Sequence, residues 1–485
     1  METAATLSRE QRMVMKLIKE GQNVFITGSG GTGKSFLIEE IKRYLKESSK
    51  TYAVTAPTGT AANNIGGVTL TRWSGFGIDR TVPIDSIVSK IVYSRYKNVR
   101  DNWDYTQVLF IDEISMVSKT SFSDLCDLAR AVRIKLKSSN ADSLFGGIQL
   151  VVCGDFYQLP PISKKGEKKE EFCFASEHWA QLFPKENCVV LNKVFRQKDE
   201  VFSSILNQIR IGEIDKNVER FMSTLARPFK CPDPRIIPTI LYCTNVDVDE
   251  VNDKYLEGIN SKPEIFRSID YNPQKQDPAS YDKNFLAKKT LYLKVGAQVM
   301  FIKNWPDANL VNGSIGIVTG FDRERLSAPI VSFPGNDERG PVINKIIPRM
   351  EFKVQEGDVV LASRNQVPLI LCCAITVHKA QGMTIPYLKI DISNVFETGQ
   401  AYVALSRAVS AQYLQVVGFH KSKIKKNKTV EEFYYSIERD LEEEEEDESD
   451  DESEKEEVEQ KETGDDTEFD HLLDEEIYFE GIPDF

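Results

Sequence analysis

The sequence predicts an α/β fold in which parallel strands carry chemistry to one edge of a sheet. Three observations predict it. First, a glycine loop, Gly28-Ser29-Gly30-Gly31-Thr32-Gly33-Lys34-Ser35, follows the apolar run Val24-Phe25-Ile26-Thr27 and precedes a stretch of helical spacing from Phe36 to Lys42. Strand, glycine loop and helix start is the context that makes G-x-x-x-x-G-K-[ST] a phosphate-binding loop. Second, short apolar runs alternate with helical stretches through residue 195. That alternation predicts a parallel sheet with its ligand at the carboxyl edge. Third, residues 286–362 change character, with short strands separated by Val295-Gly296, Asn312-Gly313, Pro334-Gly335 and Glu356-Gly357. Such turn pairs predict a small β-rich module inserted into a second α/β half, which resumes at 366–420.

The glycine loop has a direct physical reading. Glycines let successive backbone N–H groups curl around an anion. The following helix N-terminus adds partial positive charge. Lys34 is placed to reach the β- and γ-phosphates of a nucleotide, and the Ser35 hydroxyl to ligate Mg²⁺.

Ahead of the loop, residues 7–20 read as a helix. Ser8 is a candidate N-cap and Gln11 holds the capping-box position. A side-chain amide also donates and accepts at once, as reading an adenine edge requires, but spacing alone favours the cap. Residues 51–56 form a second strand, running into the small-residue loop Pro57-Thr58-Gly59-Thr60-Ala61-Ala62. Small residues admit a nucleic-acid backbone or a packed helix equally well. Val108-Leu109-Phe110-Ile111 delivers Asp112-Glu113 to the sheet edge. Two carboxylates there suit a metal-holding residue followed by one that takes a proton from attacking water. Gln149 to Cys153 ends at Gly154-Asp155-Phe156-Tyr157-Gln158-Leu159-Pro160-Pro161, where Gln158 is a candidate to sense the γ-phosphate or to orient water. Arg196 opens the second half, followed by an amphipathic helix to Ile211, then a strand at 239–245. Pro263, Pro273 and Pro278 predict an irregular connection over 260–285.

Charge divides the 485-residue chain in two. The net charge is −13, yet residues 440–485 hold 25 acidic and 2 basic residues, which leaves +10 on 1–439. A basic body suits nucleic acid, and an acidic, Ser-rich tail predicts disorder. No apolar run reaches the ~18 residues of a membrane span, and no basic-then-apolar leader opens the chain. The eight cysteines form no C-x-x-C pair, so a zinc site is not expected and a reducing, intracellular compartment is. No internal repeat shows in the sequence.

Taken together, the ordered blocks resemble a superfamily 1 helicase, most closely the PIF (petite integration frequency) family of 5′→3′ DNA helicases, of the 1B class. They include the glycine loop, Ala56 to Ala62 with Ile65-Gly66-Gly67-Val68-Thr69, and Ile111 to Val117 followed by a helix through Arg133. The Gly154–Pro161 block, Val194-Phe195-Arg196-Gln197, Ile205 to Gly212, Leu293 to Met300 and Val311 to Gly316 follow. Ile375 to Thr384, with His378-Lys379, and Gly399 to Ala408 complete the set. The resemblance covers about residues 7–420.

It implies two tandem RecA-like P-loop domains with parallel sheets, ATP between them, a small β-barrel insertion in the second, and a disordered acidic C-terminal tail. The expected boundaries are 1–190 for the first domain, with 70–105 as a small wedge region, and 191–285 with 363–430 for the second. The inserted module is 286–362 and the tail 440–485. The aromatics Trp73, Phe76 and Trp103 fit a duplex-splitting element or core equally.

By resemblance Gln11 contacts adenine, Gly28 to Ser35 bind the phosphates, and Ser35 with Asp112 hold Mg²⁺. Glu113 acts as base, Gln158 senses the γ-phosphate, and Arg196 and Arg407 are arginine fingers from the second domain. Pro57, Thr58, His378 and Lys379 lie in blocks that contact single-stranded DNA. Two departures stand out. Thr71-Arg72 replaces the family's His-Ser pair, with Arg72 still able to meet a phosphate, and Cys373 replaces a frequent Trp. The region before the glycine loop is short, with no regulatory domain or mitochondrial leader expected.

The implied function is ATP-dependent unwinding of duplex or structured DNA in replication, repair or recombination. A translocase that mainly displaces bound proteins is the alternative, and an RNA-directed enzyme of the same superfamily a third reading. Expected partners are single-stranded and forked DNA, with a monomeric chain. Ile482-Pro483-Asp484-Phe485 resembles the acidic, Phe-ended tips of single-strand-binding proteins, so replication proteins are further candidates. The tail itself fits solubility or autoinhibition. Lys421 to Lys428 fits a basic surface or a nuclear signal, and a nuclear or viral replication site is favoured over a mitochondrion.

Overall fold

The computed structural model describes residues 7–438, apart from 77–81, 94–96, 162–168, 196–198, 244–247, 273–281, 283–284, 309, 323–327, 335–342, 357–358, 394 and 396. The acidic tail and Arg196 therefore lie outside the described residues. The chain divides into one unit through Tyr435 and a second from Ser436. The first unit carries everything below.

Helix α1 (Arg9–Lys19) opens with the predicted capping box. Gln11 N donates to Ser8 Oγ at 3.3 Å, and Ser8 N donates to Gln11 Oε1 at 3.0 Å. The first sheet has six strands: β1 (Val24–Gly28), β2 (Tyr52–Ala56), β3 (Val68–Thr69), β4 (Val108–Ile111), β5 (Gln149–Cys153) and β6 (Cys188–Leu191). They run parallel in the order β3-β2-β4-β5-β1-β6. Every residue of β1 and β4 is buried. Strands covered on both faces read as continuous apolar runs, which is why these were legible. Helices α2 (Lys34–Glu47) and α3 (Gly59–Asn64) are the first two crossovers, and Leu37, Ile38, Ile41 and Leu45 of α2 pack with Val24, Ile26 and Val54. Parallel pairing requires such crossovers, so each strand ends at the same edge of the sheet.

Residues 70–105 carry the helices α4 (Leu70–Ser74), Ile84–Tyr93 and Lys97–Tyr105. Trp73 and Trp103 are 1% and 0% exposed, with ring centroids 4.5 Å apart. Trp103 Nε1 donates to Ser74 O at 2.9 Å, and Arg133 Nη1 donates to Trp103 O at 2.7 Å. Core is thus the reading that holds for both tryptophans, which are unavailable to split a duplex. Phe76 is half-buried.

The second parallel sheet has four strands, in the spatial order Ala374–Thr376, Thr239–Tyr242, Leu388–Asp391 and Leu414–Val417. Between its members in sequence lies antiparallel structure. Five strands pair in the order Ile343–Ile346, Ala328–Phe333, Ile315–Asp322, Gln298–Phe301 and Leu369–Leu371. Three more pair as Met350–Glu356, Val359–Gln366 and Ile269–Tyr271, and Thr290–Leu293 pairs with Glu264–Arg267. The irregular connection expected over 260–285 thus contains two strands. Pro263 stands immediately before the first of them, where a missing N–H costs no ladder bond. Pro273 and Pro278 lie outside the described residues. All eight cysteines are free thiols, and Cys373 is buried packing.

Candidate nucleotide and nucleic-acid site

The carboxyl edge of the first sheet gathers the glycine loop after β1, Thr58 after β2, Asp112-Glu113 after β4, the Asp155–Gln158 loop after β5 and Phe195 after β6. Gly28 has φ 145°, and a Cβ there would stand 2.5 Å from Leu191 O and 2.9 Å from Thr32 Oγ1, so only glycine fits. Lys34 opens α2 and Ser35 occupies its exposed first turn. Lys34 Nζ donates to Gly28 O at 2.7 Å and Ser29 O at 2.9 Å. Burial lowers the Lys34 pKa from its usual value, while Asp155 and Glu113 oppose the fall.

Residues distant in sequence complete the loop's surroundings. Gly30 N donates to the Tyr402 hydroxyl at 2.8 Å, and Phe195 N donates to Gly31 O at 2.9 Å. A Cβ on Gly33 would lie 3.1 Å from Gln11 Nε2 and 3.5 Å from the Phe195 ring. Gln11 therefore serves two ends. Its Oε1 caps α1 and its Nε2 faces the glycine loop, so the two readings of this residue are compatible. Sequence reasoning did not assign Phe195 a role. Its only signal was an aromatic directly before Arg196 in the Val194-Phe195-Arg196-Gln197 block.

Asp112 and Glu113 are partly buried. Burial raises the Asp112 pKa. Burial, then the Asp112 charge, raises Glu113 to about 7, while Lys34 and Arg407 pull the other way. Glu113 also has φ 52°, a left-handed conformation in a non-glycine residue. Such strain persists where the surroundings hold it, and it clusters at functional sites. Arg407 is 3% exposed. Its Nε donates to Val403 O at 2.9 Å and its Nη2 to Ser406 Oγ at 2.8 Å. It thus reaches the site electrostatically from the second sheet's side.

Gln158 is buried and its Nε2 donates to Asp155 Oδ2 at 3.4 Å. Asp155, fully buried, takes a two-pronged bond from Arg210, with Nε to Oδ2 at 3.0 Å and Nη2 to Oδ1 at 2.9 Å. Burial alone would lower the Arg210 pKa, but the Asp155 charge and hydrogen bonds raise it above the usual arginine value. A buried pair of this kind fixes geometry, and removing one partner strands the other's charge. Gly399, φ 77°, lies so close that a Cβ would stand 2.3 Å from Gln158 O, which seats the Gly399–Ala408 block on the Asp155–Gln158 loop.

Of the nucleic-acid candidates, Pro57 and Thr58 stand together on one wall. Pro57 and Thr58 wall a cavity of about 280 Å³ with Leu70, Thr71, Phe76 and Met116. Thr58 Oγ1 accepts from Ala61 N at 3.2 Å, and Arg72 lies half-buried on α4 beside this wall. Asn64 ties two predicted blocks together: Asn312 Nδ2 donates to its Oδ1 at 3.4 Å, and its own Nδ2 donates to Gln381 O at 3.5 Å. His378 falls in the short helix Val377–Ala380, where Lys379 is exposed.

Known proteins resemble this chain over most of its length. A PIF1-like helicase family model matches residues 6–220, and one for the 2B domain of DNA helicase Pif1 matches 278–321. The chain is 37% identical over 499 residues to ATP-dependent DNA helicase RRM3 of Saccharomyces cerevisiae, covering 88% of this chain and 67% of that protein. It is similar to the crystal structure of Pif1 helicase from Candida albicans, with TM-score 0.70 at 39% identity, covering 89% of this chain and 99% of that one. A structure of Pif1 helicase from Bacteroides in complex with ADP-AlF3 and ssDNA matches with TM-score 0.59 at 28% identity, covering 90% and 98%. The chain spans 56% to 67% of the length of the yeast and human curated relatives it matches. Among the described residues no helix is long and apolar enough to cross a membrane.

Proposed function

The chain belongs to the PIF1-like helicase family, and we propose that it is an ATP-driven helicase that moves 5′→3′ on single-stranded DNA and opens duplex or forked DNA. The observation that carries this reading is the composite glycine loop. Tyr402 and Phe195 bond the backbone of Gly30 and Gly31, while Gly399 rests on the Asp155–Gln158 loop. A nucleotide bound there touches residues separated by several hundred positions, so its binding and hydrolysis are tied to relative movement of two halves. In this reading residues 1–190 are the first RecA-like domain, 191–285 with 363–430 the second, and 286–362 an inserted module.

The donor set fits a magnesium nucleotide. Asp112 and the Ser35 hydroxyl supply few protein ligands, leaving the rest to water and phosphate oxygens, which suits Mg²⁺. Burial raises the pKa of both adjacent carboxyls, so a cation is favourable beside them. When bound, the ion neutralises charge on the β- and γ-oxygens. Lys34 holds those phosphates, Glu113 accepts the proton of the attacking water, and Gln158 orients at the γ-phosphate. Arg407, and Arg196 outside the described residues, stabilise transition-state charge. Phe195 and the Gln11 amide flank the base. Thr58, Arg72, His378 and Lys379 grip phosphates, so the track is independent of base sequence.

ATP hydrolysis measured with no nucleic acid, with single-stranded DNA and with single-stranded RNA tests this reading. We expect DNA to raise kcat several-fold and RNA to raise it less. Equal or greater stimulation by RNA would overturn the DNA assignment.

A further inference from the structure

The chain does not end its structural role with the second parallel sheet. A helix begins at residue 428, and its side chains return to the first sheet. Phe433 packs into an aromatic cluster there, with ring centroids 4.3 Å from Phe174, 5.3 Å from Phe156 and 6.1 Å from Phe25. Tyr434 is 3% exposed, whereas the next residue, Tyr435, is 64% exposed. The burial is therefore directional and brings one phenol to one place.

That phenol bridges two catalytic loops. Its oxygen lies 2.6 Å from Thr27 Oγ1, the side chain directly before Gly28. It accepts from Phe156 N at 3.1 Å and donates to Asp155 Oδ1 at 3.3 Å. The ring stacks on Tyr157 at 4.8 Å and 10°, and the Arg210 guanidinium covers both rings at 4.6 and 5.3 Å. On one side, Thr27 leads into the carbonyl that holds Lys34. On the other, Asp155 holds the Gln158 amide. A buried hydroxyl with three partners specifies position, because moving it away breaks all three bonds at once where water does not replace them.

We infer that Tyr434 is a positioning residue of the nucleotide site: its hydroxyl sets the γ-phosphate sensor loop, Asp155 to Gln158, against the strand that carries the glycine loop. This deepens the proposed function and rests on it. Tyr434 touches no nucleotide. It acts through Asp155 and Thr27, and the segment after the second sheet thereby becomes part of the machinery of the first.

The test compares wild type, Tyr434→Phe and Tyr435→Phe in the full chain, by DNA-stimulated ATP hydrolysis and by thermal melting. Tyr434→Phe keeps the ring, its stacking and the arginine contact and removes only the hydroxyl. We expect kcat to fall about tenfold with KM for ATP within about twofold, the signature of misplaced transition-state groups. The melting temperature should stay within a few degrees, and Tyr435→Phe should match wild type. A purely anchoring tyrosine would lower the melting temperature and leave kcat unchanged at temperatures where the variant is folded. That result overturns the inference, as does a rise in KM with kcat unchanged. A wild-type chain without DNA-stimulated hydrolysis would instead sink the underlying reading and the inference with it.

Discussion

Lys34→Ala is expected to lower kcat for ATP hydrolysis by about 10²- to 10³-fold, in the range seen when one preorganised charge-stabilising donor is removed. The geometry explains the size. Lys34 Nζ is held by the carbonyls of Gly28 and Ser29, within the field of Glu113 and Asp155. Its charge is therefore already placed, and little reorganisation is needed when a phosphate arrives. Alanine leaves the loop backbone intact but removes the one cation that the loop itself aims at the phosphates. DNA binding at low salt should persist, because the strand candidates Thr58, Arg72 and Lys379 stand on other elements. Steady-state hydrolysis and fluorescence anisotropy on a labelled oligonucleotide measure the two separately. A variant that hydrolyses ATP near the wild-type rate would remove Lys34 from the mechanism.

Glu113→Gln should separate binding from chemistry. We expect kcat to drop by about 10²- to 10⁴-fold with KM for ATP changed only a few-fold, as when a general base alone is lost. Glutamine preserves size and hydrogen bonding, but its amide cannot accept the proton from water. Two features mark Glu113 as more than a turn residue: φ 52°, and a carboxyl that burial and Asp112 raise to about 7. Single-turnover hydrolysis with excess enzyme isolates the chemical step. A kcat within about threefold of wild type would assign the base elsewhere.

The first sheet was legible in the sequence because its strands are buried on both faces and end in chemistry-bearing residues. The glycine loop, Asp112-Glu113 and Gln158 all stand at the edge where the alternation of strand and helix puts them. What the sequence hid was which polar groups share a partner. Gln11 satisfies a helix cap with one end of its amide, as the spacing suggests, and faces Gly33 with the other, which the spacing does not reveal. Trp73 and Trp103 pack face to tilted face in the core, which depends on Arg133 and Ser74, residues far from at least one of them in sequence. The strands Glu264–Arg267 and Ile269–Tyr271 were masked by the proline beside them, and their ladders form with partners nearer residues 290 and 364. Phe195 and Tyr434 gave almost no local signal, because their meaning lies in contacts with the glycine loop and the sensor loop. Tyr434 and Thr27 are 407 positions apart, and only the fold joins them.

In the proposed function, nucleotide chemistry at this split site drives directional movement on DNA. Strand displacement from duplexes carrying either a 5′ or a 3′ single-stranded tail, with ATP and Mg²⁺, tests it most directly. Unwinding is expected from the 5′ tail, with none in the absence of ATP and none by Lys34→Ala. Unwinding only from the 3′ tail, or strand separation that proceeds without ATP, would contradict it.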